Sequence, residues 1–159
     1  MNCIACVDDR LGILFNHRRV SLDLAIAQDI AQWTQNTTLY MDHYSSELFQ
    51  GVELHHMMLD SHLPKTTLAG WQFIEKQPIP TTFHSGDQWL IYYFNRRYPS
   101  DVQLPMDLNH DACWSIVEAT SFVGQAHDKI TRVLYRYVAH PKHCPQSMHH
   151  KAINPQYHV

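Results

Sequence analysis

Three stretches near the start of the chain decide how it folds: Asn2-Cys-Ile-Ala-Cys-Val7, the stripe Leu22, Ile26, Ile30 and Trp33, and Thr37-Thr-Leu-Tyr-Met41. The first is a short apolar run rich in β-formers, and Asp8-Asp-Arg-Leu-Gly12 closes it with turn chemistry. A loop follows from Ile13 to Val20 and carries Asn16, His17, Arg18 and Arg19. Ser21 suits an N-cap, and Asp23 suits the positive end of a helix macrodipole. The stripe recurs at i, i+4, i+8 and i+11, which is one face of a helix. Thr37 to Met41 is then a second strand, and Asp42 to Phe49 leaves its end. Strand, helix and strand at these lengths make a βαβ unit, with its two strands expected as parallel neighbours.

Outward from that unit, Met57-Met-Leu59 reads as a short strand and residues 60–67 as one or two helical turns, capped by Asp60 or Ser61. Trp71 to Glu75 alternates as a strand. Pro78, Pro80 and the stretch to Gly86 form a loop. Trp89-Leu-Ile-Tyr-Tyr-Phe94 is the strongest β-run, aromatic and β-branched, and belongs at the centre of a sheet. Trp114 to Phe122 and Ile130 to Val138 alternate and form an antiparallel hairpin at the sheet's edge. The expected domain is 1–139. Residues 140–159 lose all periodicity and read as a poorly structured, histidine-containing tail. His140, His143, Cys144, His149 and His150 are metal-ligating types, but their spacing fits no standard finger, so the tail reads as solvated.

An apolar content of 45% with 17% charge marks a folded chain, long enough for one full core. A net charge of -3 gives no global positive field for nucleic acid. No run approaches bilayer length, and no basic segment leads a long apolar core, so a cytoplasmic protein without membrane contact is expected. Cys3 and Cys6 form a C-x-x-C pair, yet inside a strand such residues point to opposite faces. They read as two small buried apolar side chains, as do Cys113 and Cys144. The histidines show neither H-x-H-x-D-H nor H-E-x-x-H, so no metal site is assigned.

These pieces resemble dihydrofolate reductase. The resemblance rests on the strand ending Val7-Asp8, Gly12 opening a loop, the helix with an early acid, and Leu39-Tyr-Met41. It returns in Gly86-Asp-Gln-Trp-Leu-Ile-Tyr92, Asp101-Val-Gln-Leu-Pro105, Trp114-Ser-Ile-Val-Glu118 and Ile130 to Tyr137, and covers roughly two-thirds of the chain. The chain is also similar to uncharacterised dihydrofolate-reductase-like proteins of Gram-positive bacteria. The shared patterns are Val7-Asp-Asp9, Gly12 to Arg19, Ser21-Leu-Asp23, Tyr44-Ser45, Asn95 to Asp101 and Lys129-Ile-Thr131. Some of those proteins carry an automatic label of ribonuclease Z, whose histidine–aspartate metal motif is missing here.

The resemblance implies an α/β fold: a single-domain mixed sheet with a C-terminal antiparallel hairpin and a shortened cofactor-binding segment. It implies that Asp23 is the catalytic acid near the start of the first helix, with Asp29 a second candidate. Tyr92 stands where the family has a threonine supporting that acid. Tyr44 and Ser45 fall where Gly-Arg-x-Thr grips the cofactor phosphates, but Asp42 brings a repulsive charge there. The Gly-Gly turn before a pyrophosphate-binding helix has no counterpart beyond His84-Ser85-Gly86. NADPH is therefore a possible cofactor whose phosphate-binding motifs are missing. Asn16, His17, Arg18, Arg19, Ser21 and Asp23 flank the pocket mouth, where the arginines suit a phosphate or carboxylate and Arg96-Arg97, after the central strand, add to them; the other reading is a solvated basic loop paired with Asp8 and Asp9.

The expected function is binding of a small anionic or pterin-like ligand, carried by Asp23, Arg18 and Arg19, in a chain whose NADPH site is eroded. One alternative is an NAD(P)H-dependent reductase of a pterin-like substrate, so whether the chain is an enzyme stays open. The other is a non-catalytic homodimer, in which the sheet edge left by the missing segment pairs with a second copy.

Overall fold

The computed structural model describes residues 1–66, 68–76 and 78–138. The expected tail and its histidines lie outside the described residues. In chain order the elements are β1 (Asn2–Val7), β2 (Gly12–Phe15), β3 (Arg18–Arg19), α1 (Leu24–Trp33), β4 (Leu39–Met41) and α2 (His43–Ser46). A 3-10 turn over Glu47–Phe49 follows, then β5 (Met57–Leu59), β6 (Trp71–Phe73), β7 (Gln88–Tyr93), β8 (Val102–Gln103), β9 (Trp114–Phe122) and β10 (Ile130–Tyr137).

The main sheet has seven strands in the order β5-β4-β6-β1-β7-β10-β9, and β3-β2-β8 form a small second sheet. β1 runs parallel to both neighbours, with Cys3 opposite Gln72 on β6 and Trp89 on β7. A strand with parallel partners on both sides is covered on both faces, which is why its sequence is apolar without a break. Cys3, Ala5 and Val7 enter one core with Trp89, Ile91 and Tyr93. Ile4 enters the other, beneath α1, with Leu90, Tyr92 and Phe94. The helix buries Ile26, Ala27, Ile30 and Ala31 against that face. Each large side chain taken fully from water contributes ~1.5–3 kcal/mol. Phe49 closes the layer edge-to-face on Phe73, ring centres 5.6 Å apart. The aromatic run is central, and β9 and β10 form the antiparallel edge pair the alternation predicts.

Five expectations are corrected. β1 and β4 are parallel but not neighbours, because β6 inserts between them; local sequence does not encode that long-range pairing. The stretch from Ile13 to Val20 is a hairpin, not a loop, since Asn16 and His17 take φ of 51° and 65° and supply its tight turn. The N-cap is Asp23, whose side chain accepts from the Ala25 N–H, so the helix starts after Ser21 and Leu22. Residues 60–66 form no helix: Asp60 accepts from the His62 N–H in a local turn, while the Gln72 side chain holds Lys65 through its N–H and carbonyl. Cys113 is disulfide-bonded rather than a free thiol, while Cys3 and Cys6 are free on opposite faces of β1. No helix among the described residues is long and apolar enough to cross a membrane.

Candidate functional site

The parallel strands β4, β5 and β6 end on the same side, where open α/β sheets gather ligand groups. A cleft of about 600 Å³ lies there, lined by residues that include Asp42, Tyr44, Ser61, His62, Glu75 and Lys76. Behind its lining residues Tyr44 and Glu75 lies a charge cluster built from three separate segments. β3 ends in Arg19, α2 carries Tyr44 and Ser45, and Glu75 follows β6. Arg19 donates from Nε to Glu75 Oε2 at 2.8 Å and from Nη2 to Oε1 at 3.0 Å. Ser45 Oγ donates to the same Oε1 at 2.8 Å, and the Arg19 backbone N–H donates to the Tyr44 hydroxyl at 3.0 Å. Burial works to lower the Arg19 pKa, but the hydrogen bond and charge of Glu75 outweigh it and hold the guanidinium above its ordinary value.

The other acid of the cleft is also taken up internally. Asp42 caps α2 by accepting from the Ser45 N–H at 2.8 Å. Lys76, His43 and His62 are exposed at the cleft; His62 Nδ1 lies 3.2 Å from Ser61 Oγ, and no carboxylate pairs with Lys76 among the described residues. The Lys76 Nζ and the Arg19 guanidinium each stand 4.2 Å from the centre of the Tyr44 ring.

A second cluster adjoins the first through the segment after Arg19. Asp23 is buried and accepts from the N–H groups of Ala25, Gln125 and Ala126 at 2.8–2.9 Å, and from His127 Nδ1 at 2.9 Å. Burial raises its pKa, but these four donors reverse that and hold it below the usual carboxylate range. His127 Nε2 lies 2.6 Å from the Tyr98 hydroxyl and 3.2 Å from Ser21 Oγ. Carboxylate, imidazole and hydroxyl in that order are the parts of a nucleophilic site. Here Tyr98 occupies Nε2 at the shorter distance, and the cluster staples the start of α1 to the β9–β10 turn. Gly124 permits this closeness, because a Cβ there would stand 2.6 Å from Asp23 Oδ2.

Tyr92 does support an acid from the central strand, and that acid is Asp29: its hydroxyl donates to Oδ2 at 2.6 Å. Arg132 Nη1 donates to the same oxygen at 2.7 Å, so this carboxylate is already ion-paired. Tyr92 and Phe94 fill the space under α1 with buried aromatic rings.

The structure thus brings Arg19, Tyr44 and Ser45 together at the cleft, and Ser21 with Asp23 beside it. Asn16, His17 and Arg18 are exposed at the β2–β3 hairpin. Arg96 is exposed at a separate cavity of about 500 Å³ shared with His127 and Lys129. Arg19 spends its planar fork on a carboxylate of its own chain rather than presenting it to an anion. Sequence reading missed Glu75 and His127. Glu75 carried a signal, an acid directly after the apolar pair Phe73-Ile74, which a buried strand end tolerates only with a cation. His127 carried none beyond its place in a turn. Among the described residues no group of three or more His, Cys, Asp or Glu is placed to hold a metal.

No protein-family model matches the chain, and no curated protein matches it in sequence. Its architecture is that of a dihydrofolate-reductase-like α/β fold. Among the solved structures it is similar to is the dihydrofolate reductase from Enterococcus faecalis in complex with NADP(H) and RAB-propyl, with a TM-score of 0.53 and 10% identity, over 86% of this chain and 95% of that one. At that identity the likeness is one of fold.

Proposed function

We propose that this chain binds a small anionic ligand, a phosphorylated or carboxylated metabolite that includes pterin-like acids, in the cleft at the ends of β4 and β6. The observation that carries the reading is the charge balance of that cleft. Glu75 is neutralised by Arg19 and Asp42 gives one oxygen to the α2 cap, whereas Lys76, with no carboxylate partner among the described residues, faces the cleft with His43 and His62. An unpaired ammonium beside two imidazoles attracts an anion. Arg18, Asn16 and His17 on the neighbouring hairpin are the outer residues of this proposal, and Arg96, at its own cavity, stands apart from it. A cytoplasmic location and kinship with the uncharacterised Gram-positive group belong to it as well.

A nicotinamide-dependent reductase, with Asp23 or Asp29 as its acid, is the alternative. The capping of α2 weighs against it, because the Asp42 side chain takes the Ser45 N–H that the resemblance would offer to a cofactor phosphate. So does the state of both acids, Asp23 saturated by donors and Asp29 paired with Arg132. Titration calorimetry with inorganic phosphate, pyrophosphate and a pterin carboxylate tests the proposal. Heat of binding in the wild type that is lost in Lys76→Ala supports it; equal binding by both proteins overturns the assignment to this cleft.

A further inference from the structure

We propose that the cavity between the end of β7 and the β9–β10 turn binds a small aminocarboxylate, a molecule with one carboxylate and one ammonium on a short carbon frame, as in a free α-amino acid. This site is separate from the anion cleft. The cavity measures about 500 Å³, and Arg96, Asp128 and Lys129 line it with exposed side chains. No ion pair among the described residues uses any of these charges, not even with one another.

Charges of both signs at one cavity restrict what fits there. A simple anion answers the two cations and is repelled by Asp128. A ligand that carries both signs answers the whole set. The planar fork of Arg96 suits its carboxylate, Lys129 adds a second cationic donor, and Asp128 takes its ammonium. Asn95 lines the same cavity, and its Oδ1 is buried with no hydrogen-bond partner among the described residues. An ammonium donor would satisfy that acceptor as well.

Separate contacts hold the backbone of these residues in place. Asn95, left-handed with φ of 57°, donates from Nδ2 to the Lys129 carbonyl at 3.1 Å and to Thr131 Oγ1 at 2.9 Å. That clamp ties the segment after β7 to the segment before β10, and so Arg96 to Lys129. The Arg96 carbonyl accepts from the Asp9 N–H at 3.0 Å. Beside Asp128, His127 is engaged at both ring nitrogens, by Asp23 and Tyr98, and its ring stacks on Phe94 with centres 4.8 Å apart. A backbone pinned in this way lowers the ordering cost of binding. His127 and Phe94 also line the cavity and give the ligand's carbon frame an aromatic wall.

Proton–nitrogen correlation spectra of the full chain test this, with the backbone amides of Arg96 and Lys129 as local reporters. L-leucine should shift them. Its two halves, 4-methylpentanoate and isopentylamine, carry one charge each and should bind about tenfold more weakly, the loss of one charged hydrogen bond. Arg96→Gln should weaken L-leucine by about the same factor. Asp128→Asn should weaken L-leucine yet leave 4-methylpentanoate no weaker, a split that a merely structural defect would not produce. Both side chains are exposed, so resonances away from the cavity should stay in place. Lys76→Ala should bind L-leucine as the wild type does, which separates this cavity from the cleft. The proposal is overturned by reporters that ignore L-leucine, or that respond as strongly to 4-methylpentanoate or inorganic phosphate. Undiminished L-leucine binding in Asp128→Asn, or its loss in Lys76→Ala, would also overturn it.

Discussion

Arg19 and Glu75 form a two-point ion pair, 2.8 and 3.0 Å long, that joins the end of β3 to the segment after β6, behind the cleft that Glu75 lines. The side chains are only 16% and 7% exposed, so removing either one strands a charge away from water. Arg19→Ala is expected to cost about 3 kcal/mol, the lower range for breaking a buried pair. The double change Arg19→Met with Glu75→Leu should recover more than half of that loss, because it leaves no orphaned charge. Urea denaturation of the two single variants and the double variant measures the coupling.

The Asp23 carboxyl, held below its usual range, contributes stability that is present above the unfolded carboxylate's pKa. That contribution is lost as pH falls through the lowered folded value. Wild type and Asp23→Asn should thus differ most at neutral pH and converge below about pH 4. Denaturation series at several pH values check this, and a gap that widens in acid would contradict the arrangement of donors around Asp23.

What could be read in advance follows from what is local. β1, the Ile26 and Ile30 stripe, β7 and the β9–β10 hairpin announce themselves through periodicity, and each is found. The insertion of β6 between β1 and β4 is long-range pairing that no local pattern carries. Asn16 and His17 hid a hairpin because their left-handed backbone is not the glycine signal a tight turn usually shows. At the site, Arg19, Tyr44 and Ser45 were legible as polar groups near strand ends. Their partner Glu75 lay 30 residues beyond Ser45, and only the folded chain shows that it consumes the arginine.

Tyr92 and Asp29 link the central strand to α1, and the phenol is buried and pushed well above its ordinary pKa by burial and by the nearby carboxylate. Tyr92→Phe deletes one hydrogen bond to a charged acceptor and should destabilise the protein by about 1.5–3 kcal/mol. Arg132 still pairs with Asp29, so the far-ultraviolet spectrum should not change.

The Cys3 thiol is pushed up to about 12 by burial, and burial together with the Glu75 charge raises Cys6 well above its ordinary value. Thiols without thiolate are poor nucleophiles. Neither residue should react with a disulfide reagent in the native protein near neutral pH, and both should react in denaturant. Peptide mapping after labelling reads each site separately. Rapid native labelling of Cys6 would instead open a redox role for the C-x-x-C pair.

The central proposal is that the cleft at the ends of β4 and β6 binds a small anion rather than a nicotinamide cofactor. Thermal unfolding of the wild type and Lys76→Ala, each with NADPH, folate and a set of phosphorylated and carboxylated metabolites, tests it most directly. A ligand at a hundredfold excess over its dissociation constant adds about 2.7 kcal/mol to native stability, a readily measured rise in Tm. The account predicts a rise with at least one small anion, lost in Lys76→Ala, and none with NADPH. A rise with NADPH that survives in Lys76→Ala would contradict it and restore the reductase.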